Sequence, residues 1–318
     1  MIDHIGDSVV SGPEGDGPIL PMVTATAAAA PCPHCQASHA PPTEFIYALG
    51  QLDVRMPSVG IEREFQQRER QLYAGEPRAG RRERRVADVL RANPHLARSV
   101  CFLLLAGGMP VYIITPTSRD VLDAMLHALE GEGAWSLVVG RAGPMAEPAT
   151  CGGVLAPIVA CDQLYAFKMP ELLASLSQAL APVGAVKELG AERFSALCTE
   201  LFERVASSID NVGRLDSSRA LNYLLVQHPG LFLAYAERSD RALLDSIETR
   251  VGDTPGLRRI VTVILTFLDR QTGVPERLFT RVDTTEEWPF LADASNAGAP
   301  TLGFRPFIDY GLQGSSLP

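Results

Sequence analysis

Lysine is nearly absent from this chain: only Lys168 and Lys187 occur among 28 basic residues, and the rest are arginine. A guanidinium stays charged at any useful pH, so Schiff-base and lysine general-base chemistry have few candidates. No Lys or Arg stands before Arg55, so the apolar, alanine-rich stretch from Ile19 to Ala30 lacks the basic n-region of a signal peptide. Long hydrophobic runs are missing as well. The longest, Val100 to Thr115, is broken by Gly107, Gly108 and Pro110, and it falls short of the ~20 residues that span a bilayer. These absences predict a soluble, cytoplasmic protein without a membrane partner. A net charge of −9 argues against a dedicated nucleic-acid binder, because phosphate contacts need a basic face; a local basic patch is compatible with it.

The usual catalytic templates are missing too. The chain has no G-x-S-x-G elbow, no phosphate loop ending in Gly-Lys-Ser/Thr, no G-x-G-x-x-G and no H-E-x-x-H. His95, His127 and His228 each stand alone, and a general base needs partners. Structural roles at helix surfaces or ends are expected for them.

What is present is a 318-residue globular composition, 46% apolar and 20% charged, long enough for two domains. The predicted order is a disordered leader (1–30), an N-terminal α+β domain with a cysteine loop (31–180), a C-terminal domain of helices followed by antiparallel strands (190–292) and a tail (293–318). In the first domain "EFIYALGQLDV" reads as a strand and "GIEREFQQRERQLYAG" and "RRERRVADVLRANPHLARSV" as helices. Two strands follow, joined at Gly107-Gly108, then a helix with Thr117 or Ser118 as N-cap and Gly131 as stop. "WSLVVGRAGP" and "GVLAPIVACDQLYAF" are further strands, and Pro170 opens a helix. After the linker "APVGAVKELG" come three helices, one amphipathic through Phe194, Leu197, Leu201, Phe202 and Val205, the next capped by Asp216, and a third that starts at "PGLFLAYAERSD". Strands rich in β-branched residues end the series, with "RQTGVP" as a hairpin turn. Helices and strands are segregated, without regular βαβ alternation, so the fold class is α+β.

The clearest local motif is "PCPHCQASHAPP", in which Cys32 and Cys35 have zinc-knuckle spacing and His39 lies within reach of the same ion. A structural zinc takes four ligands, and this stretch offers three. Completion would come from a distant cysteine, with Cys151 in "ATCGGV" the most loop-like, from water, or from a second chain in a homodimer. The prolines around the motif argue against the strand-to-helix junction of a redox site. Structural metal, free thiols in a loop and redox chemistry all stay open from the residues alone. Six cysteines in a chain of this length are no disulfide scaffold, and Cys101, Cys151, Cys161 and Cys198 are expected as small buried hydrophobes.

Two charged stretches complete the inventory. "RAGRRERR" (78–85) is either a solvated helix face laced with Glu83 or a docking surface for an acidic peptide. "RVDTTEEWPFL" (281–291) can orient a cation or substrate through its carboxylates, or form a turn whose Trp288 and Phe290 close a core edge.

Taken together, "CPHC", "FIYALGQLDVRMPSVGIEREFQQ", "CGGVLAPIVACDQLYAF", "RALNYLLVQHP" and "RRIVTVILTFLDRQTGVPERLFTRVDTTEEWPFL" resemble the domain of unknown function at the C-terminus of PatG-type proteins. Those are the subtilisin-like macrocyclases of cyanobactin biosynthesis, and a related domain ends the companion PatA-type protease. The resemblance runs from Cys32 to Leu291. It implies a role in a pathway of ribosomally synthesised, post-translationally modified peptides, and zinc held by Cys32 and Cys35. It does not imply macrocyclase activity, because the protease domain and its triad have no counterpart here. Three functions follow as expectations: a non-catalytic accessory protein binding a precursor peptide or a peptide-modifying enzyme, a zinc-dependent peptide-modifying enzyme, or a purely structural scaffold.

Overall fold

The computed structural model describes residues 44–74, 82–131, 133–184, 187, 189–207, 212–252, 258–292 and 303–307. The predicted leader, the Cys32/Cys35 loop and the end of the predicted tail lie outside these residues.

The first strand, β1 (Phe45–Arg55), is buried on both faces over its first half, which is why "FIYALG" reads as an unbroken apolar run. Alternation sorts its side chains. Ile46 and Ala48 join Phe102, Leu104, Ile114, Val138 and Val159 in one core, whereas Tyr47 and Leu49 point into another. Helices α1 (Val59–Leu72), α2 (Arg82–Ala92) and α3 (Pro94–Ala97) follow, and then β2 (Cys101–Ala106) and β3 (Met109–Pro116). Gly107 and Gly108 join these two strands at φ of 56° and 80°, the left-handed pair a tight hairpin turn requires. Helix α4 (Arg119–Glu130) starts where the Ser118 hydroxyl accepts the N–H of Val121 at 3.2 Å, and it stops at Gly131. It lays Val121, Met125 and Leu129 into the first core beside Leu90 of α2.

Strands β4 (Trp135–Met145) and β5 (Pro157–Phe167) complete a closed barrel in the order β1-β2-β3-β5-β4. The β3–β5 pair is parallel and the others are antiparallel. β1 reaches both neighbours by splitting its length: residues 45–50 pair with β4 and residues 51–55 with β2. That split leaves the backbone of Tyr47 without a strand on its β2 side. The gap is filled from far along the chain: the Tyr47 N–H donates to Gly213 O at 2.8 Å, and the Asn222 side chain donates to Tyr47 O at 2.8 Å.

The chain between β4 and β5 is tied to the barrel by a disulfide between Cys101 and Cys151, 50 residues apart. This corrects the expectation of free, buried thiols at these two positions. Strand pairing carries Cys101 to the barrel rim where the 146–156 connection folds back, a proximity that no local pattern announces. Cys161 and Cys198 are buried free thiols as expected, and burial pushes both up to about 12.

Beyond α5 (Met169–Leu180), helices α6 (Ala191–Ala206), α7 (Asp216–Gln227) and α8 (Pro229–Ala236) form a layer. On one side they meet Leu137, Val139 and Leu49 of the barrel, and on the other Val261, Val263, Leu265 and Val282 of a second sheet, in a single continuous core. That sheet holds β6 (Ala242–Val251), β7 (Ile260–Asp269), β8 (Pro275–Asp283) and the short β9 (Phe290–Leu291) and β10 (Arg305–Pro306). Its order is β10-β8-β7-β6, with β9 also on β8. In the β7–β8 hairpin the Asp269 carboxylate accepts the N–H groups of Gln271 and Thr272 and the Thr272 hydroxyl. The architecture is α+β, with helices segregated from largely antiparallel strands and a C-terminal hairpin. Among the described residues no helix is long and apolar enough to cross a membrane.

Candidate functional site

The barrel leaves no free strand edge, but the second sheet does. β6 pairs with β7 over its length, and among the described residues no strand lies on its outer side. An unpaired edge presents backbone donors and acceptors that a further strand can use. Part of this edge is already occupied. A bulge interrupts the register between Leu244 and Ser246, and there Arg204 of α6 donates to Leu244 O at 2.9 Å and to Asp245 O at 3.1 Å. The stretch from Ser246 to Val251 lies beyond that cap. Its central side chains are half-buried and its end, Arg250 and Val251, is exposed. The site is therefore a short, defined edge whose start is fixed by one arginine.

The opposite corner of the sheet is built around Arg219, a fully buried guanidinium. It donates to Thr284 O at 2.6 Å, to Glu287 O at 3.2 Å and also to Glu286 O, and it lies over the Phe45 ring. Burial lowers its pKa, and the Asp216 carboxylate at 3.5 Å acts in the opposite sense. Asp216, expected as the helix cap, instead sits inside the first turn behind Leu215, and its carboxylate accepts the Thr284 hydroxyl at 3.1 Å. Tertiary contact has taken the side chain that a cap would use. In the same corner Asp283 is buried and accepts from Arg258 at 2.8 Å and from the N–H and hydroxyl of Thr285. Burial alone would raise its carboxyl; these donors outweigh it and hold it below the usual range. Burial raises the pKa of Glu287, and Asp162 adds to the shift. The "RVDTTEEWPFL" stretch is thus a turn, and Trp288 packs edge-on against Tyr47 and Tyr165 of the barrel. The Asp283 carboxylate holds the corner, whereas Glu286 and Glu287 contribute backbone carbonyls to Arg219.

The other predicted residues are placed as follows. Cys32, Cys35 and His39 lie outside the described residues. Cys151 is bonded to Cys101, and a disulfide sulfur offers no thiolate to a metal. Among the described residues no group of three or more His, Cys, Asp or Glu stands together as a metal set. His95 meets Glu64 at 2.8 Å on the surface, His127 is exposed near Glu130, and buried His228 stacks on Phe304. From the arginine run, Arg84 is exposed, whereas Arg85 is buried over the Tyr73 ring at 4.5 Å. Concavities accompany the barrel among the described residues. A groove of about 700 Å3 lies beside Arg55, Met56 and Phe65, and a pocket of about 310 Å3 is lined by His127, Glu130, Lys168 and Glu171. In the pocket Glu171 accepts the Lys168 N–H and Glu130 pairs with Arg91, so both carboxylates are committed.

A closed barrel, a layer of helices and an open sheet whose outer strand is capped at one end by Arg204 make up the described fold. The PatG domain family model matches residues 45–239 and the PatG C-terminal family model matches residues 189–296. The chain belongs to the PatG domain family. A solved structure described as "PatG Domain of Unknown Function" is similar in fold, with a TM-score of 0.59 and 21% identity, covering 83% of this chain and 98% of that one. No curated protein matches.

Proposed function

We propose that this protein is a non-catalytic accessory component of a cyanobactin-like peptide pathway, and that it binds an extended segment of a precursor peptide or of a processing enzyme. The observation that carries this reading is the outer side of β6 from Ser246 to Val251, an edge with no strand beside it among the described residues that begins where Arg204 stops. Strand addition takes its affinity from main-chain hydrogen bonds and its selectivity from alternate side chains. A six-residue edge is long enough to admit a short peptide and too short to invite uncontrolled sheet growth. Family membership supports the peptide context, because PatG-type proteins belong to pathways that act on ribosomal peptides.

The test is hydrogen exchange on the full chain with and without precursor peptides and modifying enzymes encoded beside it. Bound peptide is expected to slow amide exchange at residues 246–251. If calorimetry detects no binding to any of these partners, the reading is wrong. Binding that leaves 246–251 unprotected would move the site elsewhere.

A further inference from the structure

The face of the C-terminal sheet that points away from the helices is basic and aromatic. Register puts Arg250, Thr262 and Arg281 in one row, Glu248, Ile264, Phe279 and Arg305 in the next, and Ser246, Thr266 and Arg277 in a third. Residues directly opposite one another share a face, and so do alternate residues along each strand. This face therefore gathers four arginines from β6, β8 and β10. Phe279 and Phe307 lie among them edge-to-face at 5.7 Å, with Arg281 over Phe279 and Arg250 over Phe307. Beneath the arginines Ile264 and Thr266 are buried, so the cations stand on a packed floor.

By the same alternation Asp283 joins this face beyond Arg281, where it is buried and paired with Arg258. Glu248 is paired with Arg250 at 3.4 Å. Arg281 and Arg305 are exposed, and no carboxylate among the described residues pairs with them. In a chain of net charge −9 this concentration of cations is a local reversal of sign. It complements an anionic partner that is short, because a long polyanion would run off the patch onto an acidic protein. Strand spacing and rise give the three rows an extent of roughly 14 Å by 13 Å, the span of about four extended residues.

We propose that this face is a docking surface for an acidic peptide segment, with Arg281 and Arg305 as its exposed charges and Phe279 and Phe307 as its apolar floor. The proposal rests on the peptide-binding reading and specifies its partner: the strand that adds to β6 is followed or preceded by Asp or Glu residues that fold over the neighbouring face.

The test is fluorescence anisotropy on the full chain with two labelled ten-residue peptides, identical except that one has Glu and the other Gln at alternate positions. A (dT)10 oligonucleotide serves as the nucleic-acid arm. The Glu peptide is expected to bind about tenfold tighter than the Gln peptide, with the advantage shrinking in about 0.5 M salt as the charges are screened. The double variant Arg281→Glu/Arg305→Glu is expected to lose that preference while retaining its melting temperature; if it melts lower, Arg281→Gln/Arg305→Gln replaces it. Equal binding of the two peptides would overturn the acidic preference and leave the peptide reading standing. Binding of neither would remove both. If (dT)10 binds tighter than the Glu peptide, the face is a nucleic-acid surface and the proposal is overturned.

Discussion

Five strands close on themselves in the barrel, whereas the C-terminal sheet ends at β6, whose outer side carries no strand among the described residues. The two regions solve the same problem differently. In the barrel every described strand has two neighbours, and where β1 falls short of β2 the backbone of Gly213 and the side chain of Asn222 take the missing place. In the open sheet Arg204 caps two carbonyls, and among the described residues no strand pairs with the rest of the edge. The closed region has its strand edges satisfied from within, and the open one keeps backbone groups that the proposed peptide would use. Mutations should therefore cost most in the barrel and act most selectively in the sheet.

The sharpest contrast is expected from the Cys101–Cys151 bridge. It closes a loop of 50 residues, for which chain entropy gives about 4 kcal/mol. Denaturant unfolding of Cys101→Ser/Cys151→Ser is expected to show a loss of that order, and reductant is expected to move the wild type toward the variant. Exchange at residues 146–156 should accelerate before exchange in β7 and β8 changes. If reductant leaves the wild type's midpoint unmoved, the bridge is not what holds the 146–156 connection.

Next in size is a pair of glycines. A Cβ at Gly140 would stand 2.0 Å from Ala160 O, in the backbone of the neighbouring barrel strand, while one at Gly273 in the β7–β8 turn would meet nothing within 4 Å. A closed ring gives way only by breaking pairs elsewhere. Gly140→Ala is therefore expected to cost about 3 kcal/mol. Gly273 has φ of 68°, and Gly273→Ala is expected to cost only about 1 kcal/mol for its left-handed backbone. Equal losses in the two variants would mean that the barrel is no stiffer than the sheet.

How much of this was legible in the sequence depends on how far each interaction reaches. Local signals held: the Ser118 cap, the Gly107-Gly108 turn and the amphipathic stripe of α6 are set within a few residues. The alternation Arg277, Phe279, Arg281 was also open to reading, since a strand places such residues on one face. Closure of the barrel was not, because the parallel β3–β5 pair joins Ile113 to Ile158 with a helix and a strand between them. Arg219 was hidden for the same reason. Beside Asp216, Ser217 and Ser218 it reads as a solvated helix residue, and it is buried because the carbonyls of residues 284, 286 and 287 arrive from the far end of the chain to receive it. The bridge to Cys151 belongs to this class as well, and with it the expectation of Cys151 as a metal ligand. Of the candidate site, the edge strand and its hairpin could be read in advance, and the arginine that bounds the edge could not.

A further effect, confined to the sheet corner, depends on pH. Asp283 ends β8 at the sheet corner, buried, with Arg258 and Thr285 donating to it. These donors favour the charged form, so its folded pKa lies below the unfolded value of 3.8. A group lowered in this way contributes stability that is fully present above the unfolded value and is lost as pH falls through the folded one. Asp283→Asn is expected to cost about 2 kcal/mol at neutral pH, the magnitude for hydrogen bonds to a charged group. The gap between variant and wild type should narrow as pH is lowered from near 4, because protonation then removes from the wild type what the substitution removed at every pH. Denaturant midpoints measured across that window check it. A gap that stays constant down to the acid limit would show that the carboxylate's charge contributes nothing at this corner, and that the loss comes from shape alone.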